Sequence, residues 1–197
     1  MKLDLNCNVA LFNSFLKNAE AIELYNELLT NSKLTTKFSL LIENGERFEE
    51  DYKKMMFIDQ NLFGENRFPK SIWGENQVWS PKMKLVKDRI ESFTGFSFET
   101  CVCIYYPDGS TGVDYHSDYP AFGDTTHIAS ISIGEERIFL LREKKTQKVD
   151  EILLKNGSLL IMGEGCQDKY EHALPLDSNC KKPRINLTFR KYGFNNL

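Results

Sequence analysis

The sequence predicts an α+β protein in which helices near the N-terminus precede an all-β half, and two patterns support that prediction. Between residues 11 and 29, apolar residues recur at intervals of three, four and seven, as an amphipathic helix requires. After Gly95 the chain changes to short runs rich in β-branched and aromatic residues, separated by turn residues. Many short strands without helices between them favour a sandwich or jelly roll over a parallel α/β sheet.

Two helices are predicted in the N-terminal part. The first covers residues 11–29, and its apolar stripe consists of Leu11, Phe15, Ile22, Tyr25 and Leu29. The second follows Ser80-Pro81, an N-cap with proline at the first helical position, and ends at Gly95. Residues 55–79, between the two, are aromatic but aperiodic and contain Gly, Pro and Asn, which is typical of a binding loop or lid.

The β half is predicted from runs that end at turn residues. The predicted strands are FSFETCVCIYY, HIASISI, RIFLLRE, EILL, SLLIM and RINLTFRKY, and the turns between them include PDGSTG, GEE and KNG. No internal repeat or low-complexity linker interrupts this order, so we expect a single domain over the 197 residues.

Charge is distributed unevenly along the chain. The net charge is −3, which argues against a protein that coats nucleic acid non-specifically. Residues 1–141 hold 14 basic against 21 acidic residues, whereas residues 142–197 hold 11 against 7. The basic run REKKTQK (142–148) is interpreted as a solvated hairpin tip, with a phosphate contact as the alternative.

Cysteine usage and hydropathy indicate a protein that is neither exported nor embedded in a membrane. The five cysteines are odd in number and contain no Cys-x-x-Cys, so they fit neither a disulfide framework nor a zinc site. No apolar run is long enough to span a bilayer. We therefore expect a cytoplasmic protein, or a nuclear one in a eukaryote.

Two of the three histidines are candidates for a metal site. His116 stands two residues before Asp118, and His172 follows the apolar strand SLLIM. Two imidazoles and one carboxylate on one side of an ion suit a non-haem ferrous centre, although a zinc hydrolase can use the same set. His127 opens an apolar run and is interpreted as a structural residue.

The C-terminal strand RINLTFR alternates between polar and apolar side chains. In an extended strand, Arg184, Asn186, Thr188 and Arg190 share one face and the intervening residues pack on the other. The two arginines lie about 20 Å apart along the strand, and their long side chains can lean toward a dicarboxylate between them. The alternative is an edge strand with a solvated polar face.

These residues together resemble the AlkB family of Fe(II)- and 2-oxoglutarate-dependent dioxygenases. The resemblance covers the chain from about Phe96 to the C-terminus, and RINLTFR is its most specific motif. Further matching elements are Tyr106-Pro107-Asp108-Gly109, the His-x-Asp pair, IASISIG, GSLLIM and His172-Ala173-Leu174-Pro175. The resemblance implies a double-stranded β-helix, a jelly roll, over residues 96–197, with a helical N-terminal extension and substrate lid over residues 1–95.

The resemblance also implies the roles of the site residues. His116, Asp118 and His172 would bind Fe(II), with 2-oxoglutarate and O2 as co-substrates. Arg184 would pair with the distal carboxylate of 2-oxoglutarate, and Arg190 would lie near the end that chelates iron. The supporting residues on the same face would be Tyr106, Asn186 and Thr188.

The implied reaction is oxidative demethylation of an N-alkylated base, with release of formaldehyde, succinate and CO2. The expected partner is alkylated nucleic acid, single-stranded or locally opened, because a base must leave the stack to reach a buried iron. Trp73 and Tyr119 are the candidate base contacts, although Trp73 is equally well explained as a packing residue under the loop. We expect a monomer.

The sequence departs from the family pattern at two places. Ile104 stands where the family often has Asn, and Tyr119 and Pro120 stand where nucleic-acid repair members usually have an acidic residue. A hydroxylase or demethylase of a protein or small molecule is therefore the alternative enzyme. A binding module that retains an inactive metal site is the alternative outside enzymes.

Overall fold

The computed structural model describes residues 2–34, 37–41, 47–118, 120 and 123–193. The strands are β1 (Val9–Phe12), β2 (Lys37–Leu41), β3 (Arg47–Ile58), β4 (Glu75–Val78), β5 (Thr100–Tyr106), β6 (Val113–His116), β7 (Asp124–Gly134), β8 (Arg137–Glu143), β9 (Val149–Leu154), β10 (Ser158–Met162), β11 (Tyr170–Leu174) and β12 (Arg184–Lys191). The helices are α1 (Asn18–Leu29), α2 (Gln60–Gly64), α3 (Lys70–Trp73), α4 (Pro81–Thr94) and α5 (Cys166–Lys169).

Two sheets form the body of the described chain. The large sheet has the strand order β1-β10-β7-β12-β5-β3-β2, and β4 pairs in parallel with β3. The small sheet has the order β6-β11-β8-β9. Neighbouring strands in both sheets are otherwise antiparallel, and several neighbours are far apart in sequence, as in the predicted jelly roll.

Three apolar clusters hold these layers together. One lies between the two sheets and includes Ile128 of β7, Leu141 of β8 and Leu160 of β10. A second covers the outer face of the large sheet, where α1 and α4 pack with side chains such as Leu24 and Ile90. The third is smaller and lies beneath α2 and α3. The described part of the large sheet therefore packs against the helices on one face and against the small sheet on the other.

Helix α4 forms as predicted. The Ser80 hydroxyl accepts a hydrogen bond from the Met83 N–H at 3.3 Å, and Pro81 occupies the first helical position. Gly95 ends the helix with φ of 76°, a left-handed conformation that favours glycine. Met83, Val86 and Ile90 form the buried face of this helix, whereas Phe93 near its end is exposed.

The first predicted helix begins later than expected. Residues Val9–Phe12 form β1, which pairs with β10 from Val9↔Met162 to Phe12↔Leu159, and α1 begins only at Asn18. The buried face of α1 is Ala21, Leu24 and Leu28, whereas the predicted stripe residue Ile22 is exposed. The pairing partner of β1 lies some 150 residues away, so local spacing could not reveal it.

The prediction of a helical extension over residues 1–95 with a lid at 55–79 is corrected in part. Four strands lie in this region, and the end of β3 pairs with β5 from Lys53↔Tyr105 to Ile58↔Thr100. Met55 and Phe57 contact the cluster under the helices, whereas Met56 and Ile58 contact the small cluster on the other face. A strand buried on both faces has no polar alternation, which is why MMFI was mistaken for part of a loop.

The six strand runs predicted after Gly95 all contain strands, as β5, β7, β8, β9, β10 and β12. Two short strands were not predicted, β6 and β11, which carry the polar sequences VDYH and YEHAL. None of the described helices is long and apolar enough to cross a membrane.

Replacing Phe57 by Ala tests the burial of β3. Phe57 is fully buried and stacks on Trp79 with ring centroids 6.1 Å apart. We expect the free energy of unfolding to fall by about 3–5 kcal/mol, because a buried aromatic side chain leaves a cavity. Urea denaturation measures the change, and Phe63→Ala in α2 is the control, since Phe63 is 45% exposed. Equal, small losses in both variants would show that residues 55–58 are not core.

Candidate active site

A cavity of about 780 Å³ lies between the two sheets. The polar face of β12 forms its floor, residues of β3 and β5 form one side, and β6, β8 and β11 of the small sheet lie opposite. This volume is within the usual range for a pocket that binds small molecules. The polar face of RINLTFR therefore points into an internal cavity and does not belong to a solvated edge strand.

The two candidate histidines are brought together by strand pairing in the small sheet. His116 at the end of β6 is the direct register partner of His172 in β11, and their ring centroids are 4.3 Å apart. Asp118 lies two residues beyond β6, with its Oδ1 atom 4.0 Å from His116 Nε2 and 3.8 Å from His172 Nε2. One ligand atom from each residue lies within 4.8 Å of the others, a separation suited to one metal ion.

Both imidazoles are in a state that suits a metal ligand. His116 Nδ1 lies 2.7 Å from the backbone oxygen of Asp114, which can only accept, so Nδ1 carries the proton and Nε2 has a free lone pair. Burial lowers the pKa of His172 to about 4, although the nearby Asp118 carboxylate acts in the opposite direction. His172 is therefore neutral near pH 7, as metal binding requires.

Asp118 is held by contacts from β12 and from α5. Its Oδ1 lies 2.8 Å from Arg190 Nη2 of β12, and its backbone N–H donates to Gln167 Oε1 at 2.8 Å. Burial raises the pKa of Asp118, but the charge and hydrogen bond of Arg190, together with the two histidines where these are protonated, lower it below its usual value. The group therefore presents an ionised oxygen, the hard ligand that a ferrous ion prefers beside two imidazoles.

The polar face of β12 forms a continuous hydrogen-bond row toward the other end of the cavity. Arg184 Nη2 donates to Ser132 Oγ at 2.9 Å and to Asn186 Oδ1 at 2.8 Å. Asn186 Nδ2 then donates to Thr188 Oγ1 at 2.7 Å. The opposite face of the strand is apolar and fully buried, and consists of Ile185, Leu187 and Phe189.

Arg184 is a buried cation, and the described residues contain no carboxylate that forms an ion pair with it. It is 2% exposed, its Nε atom has no hydrogen-bond partner, and its guanidinium lies 5.4 Å from the centre of the Tyr106 ring. Burial lowers the pKa of Arg184 to about 10, so the group stays charged at neutral pH. An uncompensated buried charge is costly, and an anionic ligand would offset that cost. The residues present therefore fit 2-oxoglutarate at this end and a metal ion at the other.

Of the two candidate base contacts, Trp73 lies away from the polar row of β12. Trp73 packs edge-on against Phe68, with ring centroids 5.5 Å apart, and the described lining of the cavity does not include it. This placement favours the packing interpretation of Trp73 over base stacking. Tyr119 lies outside the described residues. His127 stacks on Phe96 at 3.9 Å, which agrees with its interpretation as a structural residue.

The basic run at 142–148 is a hairpin tip whose charges are partly neutralised. Arg142 pairs with Glu171 at 2.7 Å and lies over the Tyr115 ring at 3.6 Å, and Lys148 pairs with Asp150 at 3.1 Å. Lys144 Nζ donates to the backbone oxygen of Gln167, which carries no charge, and the Lys144 side chain is exposed. This agrees with the solvated hairpin predicted for the run, and Lys144 and Lys145 remain exposed.

Three residues at the site were not found from the sequence. Lys54 of β3 is buried and lines the cavity, and Gln167 of α5 holds the backbone of Asp118. Arg137 of β8 donates to the backbone oxygens of Asp108, Thr111 and Pro175, at 3.2, 3.1 and 2.6 Å, and so joins the segments before β6 and after β11. These residues are identified by their burial and by their contacts with distant parts of the chain. The spacing of residues in the sequence shows neither property.

Comparison with known proteins agrees with this geometry. The family model described as the 2OG-Fe(II) oxygenase superfamily matches residues 8–190. The cattle protein "Alpha-ketoglutarate-dependent dioxygenase alkB homolog 3" is 37% identical over 125 residues, which is 58% of this chain and 44% of that protein. The mouse protein "DNA oxidative demethylase ALKBH2" is 34% identical over 122 residues, 57% of this chain and 51% of that protein. The chain thus matches about half the length of these curated relatives.

The fold is shared with a solved structure described as that of OsALKBH1. The TM-score is 0.64 at 18% sequence identity, and the superposition covers 96% of this chain and 100% of the other. At this identity the likeness concerns the fold alone. The predicted jelly roll and the predicted resemblance to the AlkB family are both confirmed by these matches.

Replacing Asp118 by Ala should remove metal binding. Loss of an outer-shell partner already weakens metal sites about 10- to 100-fold, so loss of a direct ligand should weaken Mn(II) affinity by at least about 100-fold. Anaerobic calorimetry with Mn(II) measures the affinity. The control is Asp114→Ala, because that residue contributes its backbone oxygen to His116 and its side chain is exposed.

Removal of Asp118 also leaves Arg190 without its partner, so the variant needs a thermal unfolding measurement. Asp118→Asn keeps the shape of the side chain and should lose Mn(II) affinity in the same way. Wild-type Mn(II) affinity in both folded variants would contradict the assignment of the site.

Proposed function

The chain belongs to the 2OG-Fe(II) oxygenase superfamily, enzymes that use Fe(II), 2-oxoglutarate and O2, and from that premise we propose that it oxidatively demethylates N-alkylated bases in nucleic acid. The observation that carries the proposal is the buried Arg184, which pairs with no carboxylate among the described residues, at one end of the cavity, with the His116–Asp118–His172 triad at the other. The substrate class is supported by the likeness to proteins named as alkB homologues and as a DNA oxidative demethylase.

In this proposal the triad holds the ferrous ion. The bound ion, with 2-oxoglutarate and O2, supplies an oxidation in which one oxygen atom enters a substrate C–H bond and the other enters succinate. The Asp114 carbonyl keeps His116 Nε2 available, and Arg190 holds the Asp118 carboxylate in one orientation. When the oxidised carbon is an N-methyl group, the resulting hemiaminal breaks down to formaldehyde and the unmodified base.

The polar row of β12 binds the co-substrate. Arg184 pairs with the distal carboxylate, and Tyr106 and Asn186 support the same end. Thr188 lines the middle of the row, and Arg190 stands beside the end that faces the metal. With both ends of 2-oxoglutarate held in this way, its chain would run along β12.

Apolar groups on the cavity wall limit the access of water. Val102 and Ile104 of β5 and Phe139 and Leu174 of the small sheet all line the cavity, and the Phe139 ring lies 5.2 Å from that of His172. Where these apolar groups exclude water, the charge interactions in the site are stronger. Such a site accepts a base only after extrusion from the stack, which favours single-stranded or locally opened nucleic acid.

The proposed contacts to the base and to the phosphates are inferred from the positions of the residues. Tyr119 adjoins Asp118 in sequence and remains our proposed base contact, whereas Trp73 is assigned to packing. Lys144 and Lys145 at the hairpin tip are the proposed phosphate contacts, since Arg142 and Lys148 already pair with carboxylates. A monomer is sufficient for this site because all the proposed ligands come from one chain.

A hydroxylase or demethylase of a protein or small molecule is the second candidate. The net charge of −3 and the partly neutralised hairpin tip favour it, because nucleic-acid enzymes usually present a more extensive basic surface. Both candidates use the same iron chemistry. A zinc hydrolase with the same triad would act without O2 or 2-oxoglutarate, and an inactive binding module would bind both ligands without turnover.

The test of the substrate class is product release from a panel of methylated oligonucleotides and methylated peptides. We expect methylated single-stranded oligonucleotide to give formaldehyde and succinate in equal amounts, and we expect both products to disappear when O2 or 2-oxoglutarate is left out. Asp118→Ala is the inactive control and Asp114→Ala the active one. If methylated oligonucleotide consumes 2-oxoglutarate no faster than unmethylated oligonucleotide, while a peptide does, the proposed substrate is wrong.

A further inference from the structure

Asp118 is the one member of the triad that does not lie on a strand. β6 ends at His116, and His172 belongs to β11, so the pairing of these two strands holds both histidines. The backbone of Asp118 lies beyond that pairing, and its side chain is only 11% exposed. A backbone N–H group shielded from water needs a hydrogen-bond partner, and the partner of this one influences where Asp118 lies.

The partner of the Asp118 N–H is the side chain of Gln167. The Asp118 N–H donates to Gln167 Oε1 at 2.8 Å, and Gln167 Nε2 lies 3.7 Å from Met162 Sδ, which is a weak acceptor. Because a backbone N–H can only donate, the opposite orientation of the amide would set two donors against each other. The contacts at both ends therefore hold the Gln167 amide in one orientation, with its oxygen toward Asp118.

The short helix α5, which carries Gln167, is held in place by contacts with other parts of the chain. Cys166, the residue before Gln167, is 2% exposed and belongs to the apolar cluster between the two sheets. The Gln167 backbone oxygen accepts a hydrogen bond from Lys144 Nζ at 2.8 Å. The segment before the helix is tied to the N-terminal part of the chain, since the Gly163 N–H donates to the Asn8 oxygen at 2.6 Å.

Asp118 thus has two attachments, one to its backbone and one to its carboxylate. Gln167 holds the backbone N–H, and Arg190 lies 2.8 Å from Oδ1. Oδ1 lies 4.0 Å from His116 Nε2 and 3.8 Å from His172 Nε2, and a shift of the Asp118 backbone would change both distances. A metal ion needs all three ligand atoms at once, so the backbone contact bears on metal affinity although Gln167 is not one of the three ligands.

We propose that Gln167 is a positioning residue for the metal site, whose amide oxygen fixes the backbone of Asp118 so that the carboxylate reaches the ion together with the two imidazoles. This inference rests on the triad as the metal site in the proposed function. Hydrogen-bond partners that orient metal ligands typically contribute about 10- to 100-fold in metal affinity.

The first test is the Mn(II) affinity of Gln167 variants, measured by anaerobic calorimetry. Gln167→Leu keeps a side chain of similar size without an acceptor, and the affinity should fall about tenfold or more. Gln167→Glu keeps an acceptor oxygen at the same place and should bind Mn(II) nearly as the wild type does. The matched control is Asp168→Asn, because Asp168 is the next residue of α5 and is exposed. Gln167→Ala replaces Gln167→Leu if that variant does not fold.

The second test is hydrogen exchange of the Asp118 amide, followed by NMR in Zn(II)-saturated protein. This amide should exchange about tenfold faster in Gln167→Leu, because its hydrogen bond is lost, and at nearly the wild-type rate in Gln167→Glu. The amides that pair β8 with β11 should keep their wild-type rates in both variants.

Three results would overturn the proposed role of Gln167. The first is wild-type Mn(II) affinity in folded Gln167→Leu. The second is recovered affinity in Gln167→Glu while the Asp118 amide stays unprotected, because the added charge would then explain the recovery. The third is faster exchange throughout β8 and β11 in Gln167→Leu, since the loss of affinity would then come from a loosened sheet.

Asp118→Ala distinguishes failure of this inference from failure of the proposed site. If Asp118→Ala loses Mn(II) binding and Gln167→Leu behaves like Asp168→Asn, only the role of Gln167 is wrong. If Asp118→Ala also keeps wild-type affinity, the triad is not the metal site, and the premise of the inference is wrong as well.

Discussion

The ion pair between Arg190 and Asp118 is the contact on which the arrangement of the site depends. It joins β12 of the large sheet to the segment after β6 of the small sheet, with 2.8 Å between Nη2 and Oδ1. Removal of one partner from a buried pair typically costs about 3–5 kcal/mol, because the other charge is left uncompensated. The pair therefore ties the distance between the two sheets to the orientation of the carboxylate in the triad.

The two faces of β12 have different roles, one in packing and one in the site. Ile185, Leu187 and Phe189 bind the strand to the core under the helices, whereas Arg184, Asn186 and Thr188 form the polar row in the cavity. The small sheet contributes the two histidines through one register pair, His116↔His172. In the proposed function, paired strands would hold both ends of the co-substrate, and the rest of the cavity would receive the substrate.

Local sequence patterns predicted the elements that are determined by interactions between residues close together in the chain. The Ser80 cap and the Gly95 stop predicted α4, and the alternation in RINLTFR predicted which residues of β12 face the cavity. The triad was identifiable because few histidines are present. Long-range pairing decided the rest: β1 replaced the start of the first predicted helix, and residues 55–58 at the end of β3 are covered on both faces. The positions of Lys54 and Arg137 depend on neighbours far away in the chain.

The most direct test of the account is an anaerobic crystal structure of the protein with Mn(II) and 2-oxoglutarate. We expect one ion bound by Nε2 of His116, Nε2 of His172 and a carboxylate oxygen of Asp118. We also expect the distal carboxylate of 2-oxoglutarate to bind Arg184. An ion bound by other residues, or 2-oxoglutarate bound away from β12, would contradict it.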